Sequence, residues 1–360
     1  MRKRILLVFS IYRVAERIFP IIPHLAKEYD LQLLCIGQFS KNTPWYGTDD
    51  SRIGFFDRYK QYFKQIYHSE KLVTPNEGFN RSVLNLVKET IDVAKLDLVL
   101  LDDCRLKYGY KHIHDLAKEH DVTVIGNHHG NSDKNLLEDS IGQASDYTFV
   151  FGKKEVTRPE LIPGGIPSND VLGLYSNRDD YILLIANFLG NRTSPFPINL
   201  NEEFIIKSGI VDIQEEYNKP ILVKLKSRMD DTIGHSKTAL NNIEYVRSIF
   251  PPWADINVVV DVEDDNTLIS NAFCVIGAPS TLMFKPIQKG KPTIMISGSG
   301  AIGTFRDFEG LVGLDREKIK AELRKQVASG KNQGFIEHTI EGGVDFDSTA
   351  KYIKNLKKFL

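Results

Sequence analysis

Cysteine is scarce in these 360 residues: Cys35, Cys104 and Cys274 are all there is, odd in number and far apart, each in or beside an apolar strand-like run. That spacing excludes a disulfide framework and offers no zinc-binding cluster, so a reducing cytoplasmic setting is expected. Net charge is lacking as well, since 46 Lys and Arg against 47 Asp and Glu leave a formal −1. Without the basic footprint of a polyanion binder, nucleic acid is not an expected partner. No segment reaches the ~20 apolar residues that a membrane helix requires, and any membrane contact is expected to be peripheral, at the inner face. Met1-Arg2-Lys3-Arg4 followed by Ile5 to Phe9 imitates the start of a signal peptide. The apolar run breaks at Ser10, Tyr12 and Arg13, no small-residue cleavage site follows, and the segment reads as a first strand.

What is present is the composition of a globular protein, 42% hydrophobic and 26% charged. The length fits two domains of the usual ~100 to 200 residues. Short β-branched or leucine-rich runs alternate with loops and helical patterns, the signature of parallel strands buried on both faces by crossover helices. The first half reads as strand 4–9, helix 13–29 with Ile18, Ile21, Ile22 and Leu25 on one stripe, strand 31–36, helix 82–94, strand 96–101, helix 110–120, and strands 122–126 and 147–151. Residues 40–70 are aromatic and charged without clean periodicity, and are expected to be an elaborated loop or short helices. Pro163, Gly164, Gly165, Pro167 and Gly173 place a linker over 161–180. A second α/β pattern then runs through strand 181–186, a helical stretch 200–217, strand 220–225, helix 236–250, strands 256–260 and 273–276, a short helix 281–289 and strand 292–296. Helices 315–329 and 348–359 close it. The expected domains are 1–165 and 180–345, with 346–360 a C-terminal helix packing back on the first.

In an open parallel sheet, ligands bind outside the carboxyl ends of the strands, so the residues after each strand are the candidates. Gly126-Asn127-His128-His129-Gly130 follows the strand Val122 to Ile125. A histidine there can act as a general base toward a hydroxyl, or it can simply hydrogen-bond the turn. Lys224-Leu225-Lys226-Ser227-Arg228 ends another strand, and alternation puts Lys224, Lys226 and Arg228 on one side. They suit a diphosphate, with snorkelling lysines as the alternative. Gly277-Ala278-Pro279-Ser280-Thr281 makes a small-residue turn into a helix, which is either a phosphate seat or an ordinary cap. Asn187 to Thr193, with Asn191 and Arg192, can approach a donor phosphate or open a helix. Ser10-Ile11-Tyr12-Arg13 follows strand one and either holds an acceptor or is a helix cap followed by an exposed charge; Asp102 and Asp103 also end a strand and are further acceptor candidates. Glu263 to Asp265 read mainly as helix-capping acids.

In order, these segments resemble the GT-B superfamily, and within it bacterial surface-polysaccharide transferases and the CDP-glycerol glycerophosphotransferase group. His128-His129-Gly130 resembles the His-Gly element that supplies the base in that group. Val223 to Arg228 is similar to its basic strand end. The stretch Cys274 to Ile296, with Pro279-Ser280-Thr281 and Gly290-Lys291-Pro292, is similar to the strand, small-residue turn, helix and Gly-Lys-Pro strand that close the site. The chain departs where Lys226-Ser227 replaces an expected His-Pro, and in lacking an evident ribose-binding acid near Phe284 to Gln288. The acidic and histidine constellation of the related UDP-N-acetylglucosamine 2-epimerases is not found in the first half.

The resemblance implies two Rossmann-like α/β domains facing across a cleft and a metal-independent glycosyltransferase. Its partners would be a nucleotide sugar and a glycan or lipid-linked acceptor, with no cofactor beyond the donor itself. His129 or His128 would deprotonate the acceptor hydroxyl. Lys224, Lys226, Arg228, Pro279, Ser280, Thr281, Asn191 and Arg192 would bind the donor. Cations from the chain would stand in for a metal, and no clustered Asp-x-Asp motif has a strong claim to one. A CDP-polyol phosphotransferase, an epimerase-like enzyme and a noncatalytic nucleotide-binding protein are the alternatives.

Overall fold

A computed structural model of the chain describes residues 2–40, 49–69, 77–106, 109–128, 130, 139–186, 188–189, 199–225, 239–259, 264–297, 303–329 and 333–360. Their contacts group into two units, one of Met1–Asp170 with Glu337–Leu360 and one of Val171–Ile336. Both are α/β units built on parallel sheets.

The first unit holds β1 (Arg4–Phe9), β2 (Asp30–Cys35), β3 (Phe63–His68), β4 (Leu98–Leu101), β5 (Thr123–Asn127), β6 (Tyr147–Val150) and β7 (Leu161–Pro163). They form a seven-stranded sheet in the order β3-β2-β1-β4-β5-β6-β7, parallel throughout. Alternation along β1 explains why both faces are covered. Ile5, Leu7 and Phe9 join Ile18, Ile22, Leu25 and Phe55 on one side, while Leu6 and Val8 join Val83, Val87, Ile113 and Leu116 on the other. A strand buried on two faces has no polar side to present, which is why it reads as a continuous apolar run.

Several elements differ from expectation for identifiable reasons. The single helix over 13–29 is three pieces, Tyr12–Ala15, a 3-10 stretch Glu16–Ile21 and Ile22–Glu28. Pro20 lies inside the 3-10 stretch and has no N–H to continue an α-helical ladder. β3 falls inside the segment expected to be loops and short helices. As an edge strand it buries only Phe63 well, so Lys64, Gln65 and His68 hide the alternation. β7 lies within the expected linker; it is three residues long, and Pro163 is tolerated because the strand is at the sheet edge.

The second unit holds β8 (Tyr181–Ala186), a two-residue parallel pair β9 (Phe188–Leu189) and β10 (Asn199–Leu200), then β11 (Ile221–Leu225), β12 (Ile256–Val259), β13 (Ala272–Gly277), β14 (Thr293–Ser297) and β15 (Leu311–Gly313). Its main sheet runs β12-β11-β8-β13-β14-β15, again parallel. Ile182, Leu184, Val223, Leu225, Cys274, Ile276 and Ile294 fill one core with Phe204, Ile213 and Leu323. The helical stretch over 200–217 is two helices, Glu202–Ser208 and Ile210–Tyr217. Gly209 breaks it at φ 62°, and a Cβ there would sit 2.6 Å from Arg316 Cγ.

The chain returns to the first unit at its end. In helix Ser348–Leu356, Tyr352 stacks on Phe149 with ring centroids 4.0 Å apart. Its hydroxyl donates to Asn127 Oδ1 at 2.8 Å, and Asp170 accepts the backbone N–H of Ser348 and Thr349 at 2.9 and 2.7 Å. Among the described residues no helix is long and apolar enough to cross a membrane.

Candidate functional site

Each sheet reverses its strand order beside its first strand, and a parallel sheet opens a crevice at the carboxyl ends there. In the first unit, β2 lies on one side of β1 and β4 on the other, so the residues that follow β1 and β4 meet. They bond to each other. Asp102 Oδ2 accepts the backbone N–H of Ser10 at 2.8 Å and of Ile11 at 2.9 Å. The Tyr110 hydroxyl reaches both Asp102 Oδ1 and Ser10 Oγ. All three residues are fully buried. Burial pushes the Asp102 carboxyl up to about 7, against the bond from Tyr110 and with help from the neighbouring Asp103 charge. The same burial drives the Tyr110 phenol well above its usual range.

Ser10 and Asp102 therefore tie β1 to β4, and neither is exposed to an acceptor in this structure. Asp103 is buried too, accepting the Cys104 N–H at 2.8 Å and a 2.8 Å ion pair from Arg105. Tyr12 packs edge-on against Phe19 and stacks on Phe39, and burial raises its hydroxyl to about 12. The side chain of Arg13 lies outside the described residues.

His128 follows β5 and is 3% exposed. Its N–H donates to Phe149 O at 2.8 Å, and its carbonyl accepts Arg17 Nη1 at 3.1 Å, so the peptide is held at both ends. The imidazole lies 4.6 Å from the Phe151 ring, over which the Arg17 guanidinium sits at 5.6 Å. Nδ1 is 3.4 Å from Glu155 Oε2. Among the described residues neither ring nitrogen finds a hydrogen-bond partner. Burial draws Arg17 down to about 10, with Glu16 and Asp103 opposing. His129 lies outside the described residues.

In the second unit, β8 is flanked by β11 and β13, and the register sets Lys224 and Gly277 level with Ile185. Lys224 is an ion-pair partner of Asp265 at 3.2 Å, its side chain 13% exposed. Gly277 permits a close approach, since a Cβ there would lie 2.9 Å from Met283 Sδ. Pro279, Ser280 and Thr281 are half-buried at the turn that follows. That turn enters a 3-10 segment Thr281–Met283 and a helix of only five residues, Phe284–Gln288, and Ser280 makes no side-chain capping bond. So short a helix carries little of the dipole that a longer one would offer an anion. Asp264 caps helix Asp265–Asn271 through the Asn266 and Thr267 N–H groups. Lys226, Arg228, Asn191, Arg192 and Glu263 fall outside the described residues. Among the described residues, no group of three or more His, Cys, Asp or Glu is placed to hold a metal ion.

Solved structures similar in fold cover nearly all of the chain. A Neisseria meningitidis UDP-GlcNAc 2-epimerase bound to UDP-GlcNAc superposes with a TM-score of 0.66 at 11% identity, covering 99% of this chain and 100% of its own. A Methanocaldococcus jannaschii UDP-GlcNAc 2-epimerase in complex with UDP-GlcNAc and UDP gives 0.58 at 15% identity over 99% and 100%. Acinetobacter baumannii MurG gives 0.54 at 11% identity over 99% and 100%. The chain has the GT-B fold. No protein-family model and no curated protein sequence matches it. At these identities the likeness carries the GT-B fold and leaves the narrower CDP-glycerol resemblance without a counterpart among these structures.

Tyr110, Arg17 and Glu155 are the residues that motif reading missed around the strand ends of this GT-B chain. Glu155 lies five residues beyond the end of β6, so the strand-end rule applied to that strand points to it. Arg17 had no such signal, being one of three charged residues, with Arg13 and Glu16, at the start of an expected helix.

Proposed function

We propose that the chain is a metal-independent glycosyltransferase that moves a sugar from a nucleotide-activated donor to a hydroxyl of a glycan or lipid-linked acceptor. The observation that carries this reading is His128, a buried imidazole at a strand end whose two ring nitrogens find no hydrogen-bond partner among the described residues. Buried polar atoms of folded proteins are nearly always paired, and a catalytic role is one physical account of an exception.

The reaction has a simple balance. The acceptor O–H gives its proton to the imidazole of His128, or of the adjacent His129, as its oxygen bonds to the sugar C1. The bond from C1 to the diphosphate oxygen breaks, and the nucleoside diphosphate leaves with the electron pair. Lys226 and Arg228 would neutralise that leaving group, together with Lys224, which pairs with Asp265, and the Pro279-Ser280-Thr281 turn. Asn191 and Arg192 would complete the donor side. The acceptor's place in the first unit is given by His128, since Ser10, Asp102 and Asp103 are committed to internal bonds.

A second reading is favoured by the full-length similarity to two UDP-GlcNAc 2-epimerases. An enzyme of that kind would rearrange the sugar without an acceptor.

Thermal stabilisation by UDP, CDP, GDP and CMP tests the first step. Binding at a hundred times Kd adds ~2.7 kcal/mol, roughly 5–10 °C for a unit of this size. One strong response names the donor class, and CDP would point toward a polyol phosphotransferase. Silence from all four favours a noncatalytic protein that kept the fold. Incubation with UDP-GlcNAc alone then separates the enzymes, because inversion at C2 without UDP release is epimerisation. His128→Ala and His129→Ala each keep nucleotide stabilisation in this account. The one that carries the base loses turnover by ~10²-fold or more; normal turnover in both removes histidine from the mechanism.

A further inference from the structure

The carboxylate beside His128 has no role in the reading above, and its geometry gives it one. Glu155 sits at the end of the 3-10 turn Lys153–Glu155 that follows β6, in the same unit as His128. Its Oε2 accepts the Phe151 N–H at 2.8 Å, which fixes the carboxylate over the turn. The same oxygen faces His128 Nδ1 at 3.4 Å, and the Glu155 side chain is 10% exposed. The His128 peptide is pinned by Phe149 O and Arg17 Nη1, and one flank of the imidazole is packed by the Phe151 ring.

We infer that Glu155 is the positioning residue of His128, holding the proton of the neutral ring on Nδ1 so that the Nε2 lone pair is kept for an incoming hydroxyl. A carboxylate only accepts, so the ring nitrogen that faces it must be the donor, and the second nitrogen is then the acceptor. The separation is longer than a formed hydrogen bond. Such bonds are often long before substrate binds and tighten in the complex. An ordinary core histidine would have Nε2 paired, because leaving it buried and unpaired costs about 1–3 kcal/mol. Here Nε2 is buried and finds no partner among the described residues.

The inference rests on His128 being the proton acceptor, yet it can be measured without substrate. In the full-length protein labelled with ¹⁵N-histidine, at a mildly alkaline pH where imidazoles are neutral, His128→Gln assigns the resonances of His128. The expected result is a proton on Nδ1 and an unprotonated Nε2. In Glu155→Gln the preference is lost and Nε2 moves toward the protonated position, while Glu155→Asp restores the wild-type pattern in part. A wild-type ring protonated on Nε2 would overturn the inference, as would a tautomer unchanged in Glu155→Gln. Should either variant fail to fold, the wild-type spectrum alone decides. If the tautomer is as expected but no nucleotide sugar is turned over, the pair stands and the transferase reading falls. If transfer is observed while the ring carries its proton on Nε2, the pair falls and the transferase reading stands.

Discussion

Asp102 illustrates how much a single buried carboxyl can decide. It closes the gap between β1 and β4 by accepting two backbone N–H groups and meeting the Tyr110 hydroxyl, and burial raises it to about 7. An acid whose folded value lies above its unfolded one takes up a proton on folding. The stability this adds is complete below the unfolded value near 4 and is lost as pH rises toward about 7. Thermal melting of wild type and Asp102→Asn across pH 4 to 8 should show the wild type losing several degrees relative to the variant as pH rises. A constant difference would mean that the carboxyl is already ionised throughout. From sequence, Ser10 and Asp102 were legible as strand-end residues but not as partners. Ninety-two positions separate them, and Tyr110 announces nothing by itself.

Elements were most legible where an apolar run was fully buried, as in β1, β4, β8 and β13, because burial on both faces writes a continuous signal. Edge strands were not. β3 carries Lys64 and Gln65, and β7 is cut short by Pro163, so neither pattern rises above its loop surroundings. Helix Ser348–Leu356 was legible as a helix, and its energetics reside in Tyr352. Tyr352→Phe removes the donor to the buried Asn127 and should cost about 1 kcal/mol, whereas Tyr352→Ala should cost about 3–5 kcal/mol by emptying the space against Phe149. Chemical denaturation followed by tyrosine fluorescence would check both. Similar costs for the two would place the stability elsewhere. Gly165 supplies a backbone test at the same contact. Its φ is +73° and a Cβ would lie 2.2 Å from Glu341 O, so Gly165→Ala should destabilise by more than about 1 kcal/mol.

At the scale of the molecule, the α/β rhythm carried the fold, and the two parallel sheets and the full-length likeness to GT-B structures agree on it. The site was less legible, because chemistry depends on which strand ends meet and on what each side chain is already bonded to. His128 stood out by position and Glu155 lay within reach of the strand-end rule, but that the two meet required the packing of β5 against β6. Lys224 was legible as a strand-end cation, but its bond to Asp265 was not. The proposed reaction needs no metal, so chelation should leave any turnover unchanged; loss with EDTA and recovery with a divalent ion would contradict that. The proposed reaction places a nucleotide at the strand ends of the second unit. Hydrogen exchange with and without the nucleotide that stabilises the protein tests it most directly. The expected result is slowed exchange in peptides covering β11 through Arg228 and Gly277 through Phe284, with β1 and β4 unchanged. Protection confined to the first unit, or absent from both strand ends, would contradict it.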